Sequence, residues 1–357
     1  MRVVRRRRRT TIGDVARRAG VSNGAVSLAL NGRSGVGEAT RQRIRVAAEE
    51  LGWRPSIGAR SLLSSRAFAV GLILSRQPEL LGADPFFPSF IAGVESEIAP
   101  RGYSLVLQVV PDDPKTVADA YRRMAQESRV DGVFLTDLRL RDMRLLLVRE
   151  LDLPAIAVGR PAERTSVPAV MIDDHLGVRE AVAHLLALGH RRIAFVQGPA
   201  EYVHSASRAA TWRAALRRAR VPDGPIETAD FTGPGGAAAM SRLLESPERP
   251  TAVVFANDIM AIAGMSVAAQ AGVAVPRDLS VVGFDDVPLA AHVNPPLTTV
   301  RQEVSLWGRA AAAALLSTVE DRQPSIAALP SSQLIVRAST APVPESTAGR
   351  EGIWTIG

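Results

Sequence analysis

From residue 68 onward, the sequence alternates short, uninterrupted apolar segments with longer stretches of helical periodicity. Apolar runs of this kind fit strands that are covered on both faces, as parallel strands are when helices connect them. We therefore expect an α/β body of two lobes, each a doubly wound parallel sheet, with a cleft at the carboxyl ends of the strands. The predicted strands are residues 68–74, 103–110, 130–136, 155–158 and 170–172 in one lobe, and 193–197, 226–231, 252–256 and 280–284 in the other.

The charges are divided unevenly between a basic amino-terminal segment and a mildly acidic remainder. Residues 1–66 contain 15 arginines and four acidic residues, whereas the rest of the chain contains 28 basic and 32 acidic residues. A basic segment of this kind is typical of a module that binds nucleic-acid phosphates. The arginine run at 5–9 is interpreted either as a solvated tail or as an arm that follows the DNA backbone.

The basic segment has the pattern of a small helical unit. Thr11 caps the first helix, with Asp14 three residues later in a variant of the capping box. Gly20 supplies a turn, and Ser22 caps the second helix. Two short helices joined by a tight turn form a helix-turn-helix, whose second helix enters the major groove of DNA. The alternative is a three-helix bundle without a role in DNA binding. The helices are predicted over residues 12–19, 23–31 and 38–51.

The head of the LacI/GalR family of bacterial regulators resembles TIGDVARRAGVS at 11–22 and VSLALNG at 26–32. The hinge of that family is similar to WRPS at 53–56 and ARSL at 59–62. The resemblance extends to about Thr340 and implies an all-α helix-turn-helix head and a two-lobed, periplasmic-binding-protein-like body.

The implied domain organisation has four parts. They are a head at 10–55, a hinge at 56–66, a body at 67–340 and a tail at 341–357. The first lobe comprises about 67–172 and 300–329, and the second about 173–296 and 330–340. The chain is expected to cross between the lobes near Asp173, Pro296 and Leu329. The tail contains Pro and Gly and lacks apolar heptads, so we expect no coiled-coil tetramer.

The resemblance also implies which residues contact DNA. Asn23, Gly24 and Leu28 correspond to positions that read base edges, and Asn pairs well with adenine. Leu62 corresponds to a residue that wedges between base steps in the minor groove, and its alternative role is simple packing. The remaining predicted contacts, most of them to phosphates, are Thr11, Ser22, Ala25, Ser27 and Asn31.

A second set of residues follows the predicted strands and is implied to bind a small effector. Arg208 and Asp285 correspond to a basic and an acidic ligand contact, and together they suit sugar hydroxyls or a polar heterocycle. A surface ion pair for Arg208 and a helix cap for Asp285 are the alternatives. Arg160 stands where many relatives carry a sugar-binding Asp. The other candidates are Phe86 and Phe87, which also fit a core, Tyr202, His204, Phe231, and Asn257, for which capping competes with ligand contact.

These observations predict a DNA-binding transcriptional regulator, a repressor, controlled by an effector that is a sugar or, second, a nucleoside or purine. A homodimer and a palindromic double-stranded operator are expected, because one short helix reads few bases. An exported solute-binding protein would share the body but lack the basic head. The sequence contains no cysteine, no metal-ligand spacing, no nucleotide-binding loop and no apolar run long enough for a membrane span. We therefore expect no cofactor, metal, membrane association or enzymatic activity, and a cytoplasmic, nucleoid-associated location.

Overall fold

The computed structural model describes residues 10–30, 34–53, 66–76, 84–324 and 328–343, in two units that divide between Ala67 and Phe68. Asn31, Leu62, the arginine run at 5–9 and nearly all of the predicted hinge and tail lie outside the described residues. Predictions that concern them stay predictions.

The amino-terminal unit is a small helical bundle. Its described helices are α1 (Ile12–Ala19), α2 (Asn23–Leu30) and α3 (Glu38–Glu50). The capping box is present, because the Thr11 amide donates to Asp14 Oδ2 at 2.9 Å and the Asp14 amide donates back to the Thr11 hydroxyl. Gly20 ends α1 with a φ of 65°, a left-handed conformation that favours glycine. The core of the bundle is formed by buried side chains that include Val15, Val26 and Ile44.

The second unit contains two parallel-stranded sheets. The first has the strand order β2-β1-β3-β4-β5, and the second has the order β11-β10-β9-β8-β6-β7. Within these two sheets, every described strand pairing is parallel except that of β11 with β10. The strands of the first sheet are β1 (Ala69–Ser75), β2 (Ser104–Val110), β3 (Gly132–Leu135), β4 (Ala155–Val158) and β5 (Ala169–Val170). Those of the second are β6 (Ile193–Gln197), β7 (Ile226–Thr228), β8 (Ala252–Phe255), β9 (Ser280–Asp285), β10 (Thr298–Arg301) and β11 (Gln333–Ile335).

Helices cover both sheets, and each lobe has its own apolar core. The helices are α4 (Phe86–Ile98), α5 (Pro114–Gln126), α6 (Arg144–Glu150), α7 (His175–Ala187), α8 (Val203–Arg218), α9 (Gly233–Glu245), α10 (Asp258–Gln270) and α11 (Val304–Val319). In the first lobe α4 and α11 approach closely at two glycines. A Cβ on Gly93 would lie 2.0 Å from the Ser305 carbonyl oxygen, and one on Gly308 would lie 2.2 Å from that of Phe90.

The apolar pattern did not predict β10 or β11, and β10 places one crossing between the lobes later than expected. Residues 300 and 301 belong to the second lobe, because β10 pairs with β9 there. The chain enters the first lobe after Arg301, not near Pro296, and the Trp307 indole then donates to the Val170 carbonyl. The apolar pattern did not predict β10 because two of the four residues of this strand are threonines. Both are fully buried, and their polar groups bond to Ser339 and Asp258.

Candidate functional site

A cleft of about 340 Å³ lies between the two lobes, where the parallel strands of both sheets end. Residues at or directly after the carboxyl ends of β1, β3, β8 and β9 line it, so the cleft occupies the position expected for this topology. Six of the eight candidate effector-binding residues are brought together there: Phe86, His204, Arg208, Phe231, Asn257 and Asp285.

Phe87 and Tyr202 are the two candidates that do not line the cleft. Phe87 is fully buried in the first core, with the Arg76 guanidinium 4.5 Å from its ring centroid. Successive helical residues point in different directions, so Phe86 faces the cleft while Phe87 faces the core. Tyr202 directly precedes α8 and stacks against His204 with the ring centroids 5.6 Å apart. It therefore supports the cleft wall from behind.

Arg208 is a buried residue of the cleft, which excludes the surface ion pair considered as its alternative role. Its Nε donates to Asp174 Oδ2 at 2.7 Å, and Nη1 donates to the Ala256 carbonyl at 3.3 Å. The guanidinium also lies 3.8 Å from the centroid of the Phe284 ring. Asp174 was not among the predicted site residues, although its position in the segment that follows β5 was an available signal.

Asp285 faces the same cleft from the end of β9. Burial raises the pKa of its carboxyl well above the usual value, and the nearby charge of Arg208 opposes that rise. Gln302 donates from Nε2 to Asp285 Oδ1 at 3.0 Å. The Oε1 atom of Gln302 is buried and has no hydrogen-bond partner among the described residues. This oxygen can accept a hydrogen bond from a ligand hydroxyl or amine, and nothing in the sequence pattern marked it.

An arginine held between two carboxylates lines the cleft on the side of the first lobe. Arg76 donates to Asp84 Oδ2 and to Asp137 Oδ2, both at 2.7 Å. Burial raises the pKa of the Asp84 carboxyl, and the ion pair with Arg76 opposes the rise. Because the guanidinium is already shared by two carboxylates, this cluster presents oxygen acceptors as well as a cation to the cleft.

Aromatic rings form much of the remaining wall. His204 and Phe231 stack with centroids 5.5 Å apart, while Phe86 and Trp307 meet edge to face at 5.7 Å. Burial, reinforced by Arg208, lowers the pKa of His204 to about 4, so its imidazole is neutral at neutral pH. The stack contributes apolar ring surface without adding a charge.

Asn257 has a structural role at the edge of the cleft. Its Oδ1 accepts from the Met260 amide at 2.9 Å, and its Nδ2 donates to the Phe231 carbonyl at 2.9 Å. The first bond caps α10, and the second holds the cleft-lining aromatic residue in place. Capping is therefore confirmed as one role of Asn257, while it also lines the cleft.

In the helical unit, the predicted base-reading residues on α2 differ in their exposure to solvent. Asn23 and Gly24 are exposed in its first turn, directly after Ser22, whose Oγ accepts from the Ala25 amide at 3.1 Å. Leu28 is half-buried, and a Cβ on Gly35 would contact it at 3.6 Å. Thr11 is exposed beside α1, whereas Ala25 and Ser27 are half-buried.

Neither a metal-binding cluster nor a membrane-spanning helix is found in the part of the chain that the structure describes. No group of three or more His, Cys, Asp or Glu residues there is arranged to hold a metal ion. Among the same residues, every helix is either too short or too polar to cross a lipid bilayer.

Two family models match the chain. Residues 11–56 match the model for bacterial regulatory proteins of the lacI family, and residues 182–340 match a periplasmic binding protein-like domain. The HTH-type transcriptional regulator CelR of Thermobifida fusca is 35% identical over 321 residues, which covers 88% of this chain and 93% of that protein.

Solved structures resemble the chain over nearly its whole length. The Lac repressor dimer bound to operator and the anti-inducer ONPF has a TM-score of 0.81 at 28% identity, covering 94% of this chain and 100% of that one. A CelR–cellobiose complex has a TM-score of 0.70 at 33% identity, covering 93% of this chain and 100% of that one. Both similarities extend across the helical unit and the body.

Proposed function

Since the chain belongs to the lacI family of bacterial regulatory proteins and is a DNA-binding transcriptional regulator, we propose that it is a repressor controlled by a sugar bound in the cleft. It acts as a homodimer on a palindromic operator, because one short helix reads only a few base pairs. The similar Lac repressor forms a dimer on its operator, which supports this arrangement. As a regulator of transcription it works in the cytoplasm, at the nucleoid, and has no catalytic role.

In this proposal α2 is the recognition helix. Asn23 is exposed at its start and pairs with an adenine edge, while Leu28 offers an apolar contact to a thymine methyl. Thr11, Ser22 and Ser27 bond to phosphates, which sets the position of the helix without reading sequence.

The composition of the cleft is the observation that carries the choice of ligand. It combines ring surfaces with hydrogen-bonding groups, chiefly carboxylates, and sugars present apolar faces and many hydroxyls. Gln302 Oε1 supplies a buried acceptor that is still available. The volume of about 340 Å³ suits a small molecule. The similar CelR protein has been solved with cellobiose, which supports the same class of ligand here.

The ligand controls the operator through linkage between two sites. It shifts the equilibrium between operator-competent and incompetent forms only by its difference in affinity for them. A ligand that contacts both lobes has such a difference, because the relative position of the lobes decides which contacts are made.

The test is selection of genomic DNA fragments by the purified full-length protein, with and without single sugars and nucleosides. We expect enrichment of a short palindrome whose retention changes with one sugar. Asn23→Ala is the control for base reading and should retain less of the palindrome. Retention without sequence preference, with salt dependence as its only signature, would contradict operator recognition. A response to nucleosides alone would contradict the sugar.

A further inference from the structure

The two lobes also meet at a place that lies apart from their crossings. The segment after β3 touches the segment before α8, which follows β6. In the second sheet, β8 and β9 separate β6 from β10, the strand from which the chain crosses to the first lobe. This contact therefore joins the lobes across the cleft.

The contact is a short antiparallel pairing of main chains. The Val203 amide donates to the Leu138 carbonyl at 2.8 Å, and the Leu140 amide donates to the Glu201 carbonyl at 2.9 Å. Arg139 and Tyr202 are the directly opposed residues of this bridge. Both hydrogen bonds flank the pair, so the two side chains stand close together on one face.

The side chains of this pair connect each lobe to the other. The Arg139 guanidinium lies 5.6 Å from the centroid of the Tyr202 ring and also forms an ion pair with Asp112 of its own lobe. Tyr202 is buried and stacks on His204, which in turn stacks on Phe231 in the cleft wall. The bridge is thus continuous with the surface that faces a ligand.

We propose that Arg139 and Tyr202, with the two main-chain hydrogen bonds beside them, form a latch that closes the cleft and gates ligand entry and exit. The gating role of the latch rests on the proposed function, because it requires that a ligand binds in the cleft. Its closure is a property of the two lobes alone, so it is tested without one. A ligand that moves His204 disturbs Tyr202 directly, and one that moves Phe231 does so through His204. The latch is therefore sensitive to the occupant of the cleft.

The test uses the absence of cysteine from the chain. The opposed residues of such a bridge have Cα atoms about 4.5 Å apart, which is within the span of a disulfide. In the full-length Arg139→Cys/Tyr202→Cys variant, we expect oxidised glutathione to form one intramolecular disulfide. Arg141→Cys/Tyr202→Cys is the matched control, because its thiols are out of register by two residues and should stay free.

The gating function is read from the accessibility of Trp307, which lines the cleft. Acrylamide quenching of tryptophan fluorescence should be weaker in the oxidised variant than after reduction. The other three tryptophans are present in both redox states, so the comparison is made within one variant. Free thiols in the test variant, at the level of the control, would overturn the latch. A disulfide that leaves quenching unchanged would overturn its role as a gate. Neither result bears on whether the protein binds an operator or a sugar.

Discussion

Asp258 is a fully buried carboxyl whose replacement should reveal a large pH-dependent cost. It lies behind the cleft at the start of α10 and accepts from the Thr299 hydroxyl at 2.5 Å and the Val287 amide at 2.8 Å. No ion pair to it is found among the described residues. Burial raises its pKa to about 7, although the two hydrogen bonds oppose the rise.

The sign of the effect follows from the raised pKa. Between the unfolded value near 4 and the folded value of about 7, the folded state holds a proton that the unfolded state has released. The free energy of unfolding therefore falls as pH rises through this window, by about 4 kcal/mol in total and about 2.5 kcal/mol between about pH 5 and pH 8. Asp258→Asn has no such proton to lose.

Urea unfolding followed by circular dichroism, at about pH 5 and about pH 8, measures the difference. From about pH 5 to about pH 8, the free energy of unfolding of Asp258→Asn should rise by about 2.5 kcal/mol relative to that of the wild type. Any constant cost from the exchanged hydrogen bonds cancels in this comparison. If the unfolding free energies of the variant and the wild type differed by the same amount at both pH values, the reasoning would be refuted.

Asp142→Asn is the matched control. Burial would raise the pKa of the Asp142 carboxyl, but its hydrogen bonds and ion pair with Arg144 dominate and lower it. Its contribution to stability is present above the unfolded pKa and is lost only in acid. The variant should therefore be destabilised equally at the two pH values.

Three further substitutions test the DNA surface, the cleft and the core. Asn23→Ala should weaken operator binding by about 1–3 kcal/mol, and fluorescence anisotropy should show a smaller loss on an operator altered at the contacted base pair. Arg208→Leu removes a charged hydrogen-bond donor from the cleft, and calorimetry should show roughly 10- to 150-fold weaker binding of the sugar identified by selection; unchanged affinity would remove Arg208 from the site. Gly93→Ala places a Cβ 2.0 Å from the Ser305 carbonyl and should cost about 1–3 kcal/mol of unfolding free energy. Gly233→Ala, whose Cβ would meet nothing closer than 3.7 Å, should cost measurably less.

Local patterns were sufficient for the elements that carry their own signals. The capping box at Thr11 and the turn at Gly20 are formed by residues within a few positions of each other, so the bounds of α1 could be predicted from the sequence. The apolar strands were likewise predictable, because burial on both faces requires continuous apolar runs. The same rule failed for β10, whose two threonines are buried because the Thr298 hydroxyl accepts from the Arg337 amide and the Thr299 hydroxyl donates to Asp258.

The sequence by itself determined the class of the protein: a basic helix-turn-helix unit, two lobes built on parallel strands, and a cleft that contains Arg208 and Asp285. Only the tertiary structure decided how that cleft is built. Asp174 became the partner of Arg208, Gln302 the partner of Asp285, and Tyr202 part of a bridge between lobes. These pairs join residues far apart in the chain, and their distances depend on how both sheets and their crossings pack. No local periodicity encodes such distances, so they become visible only once the chain is folded.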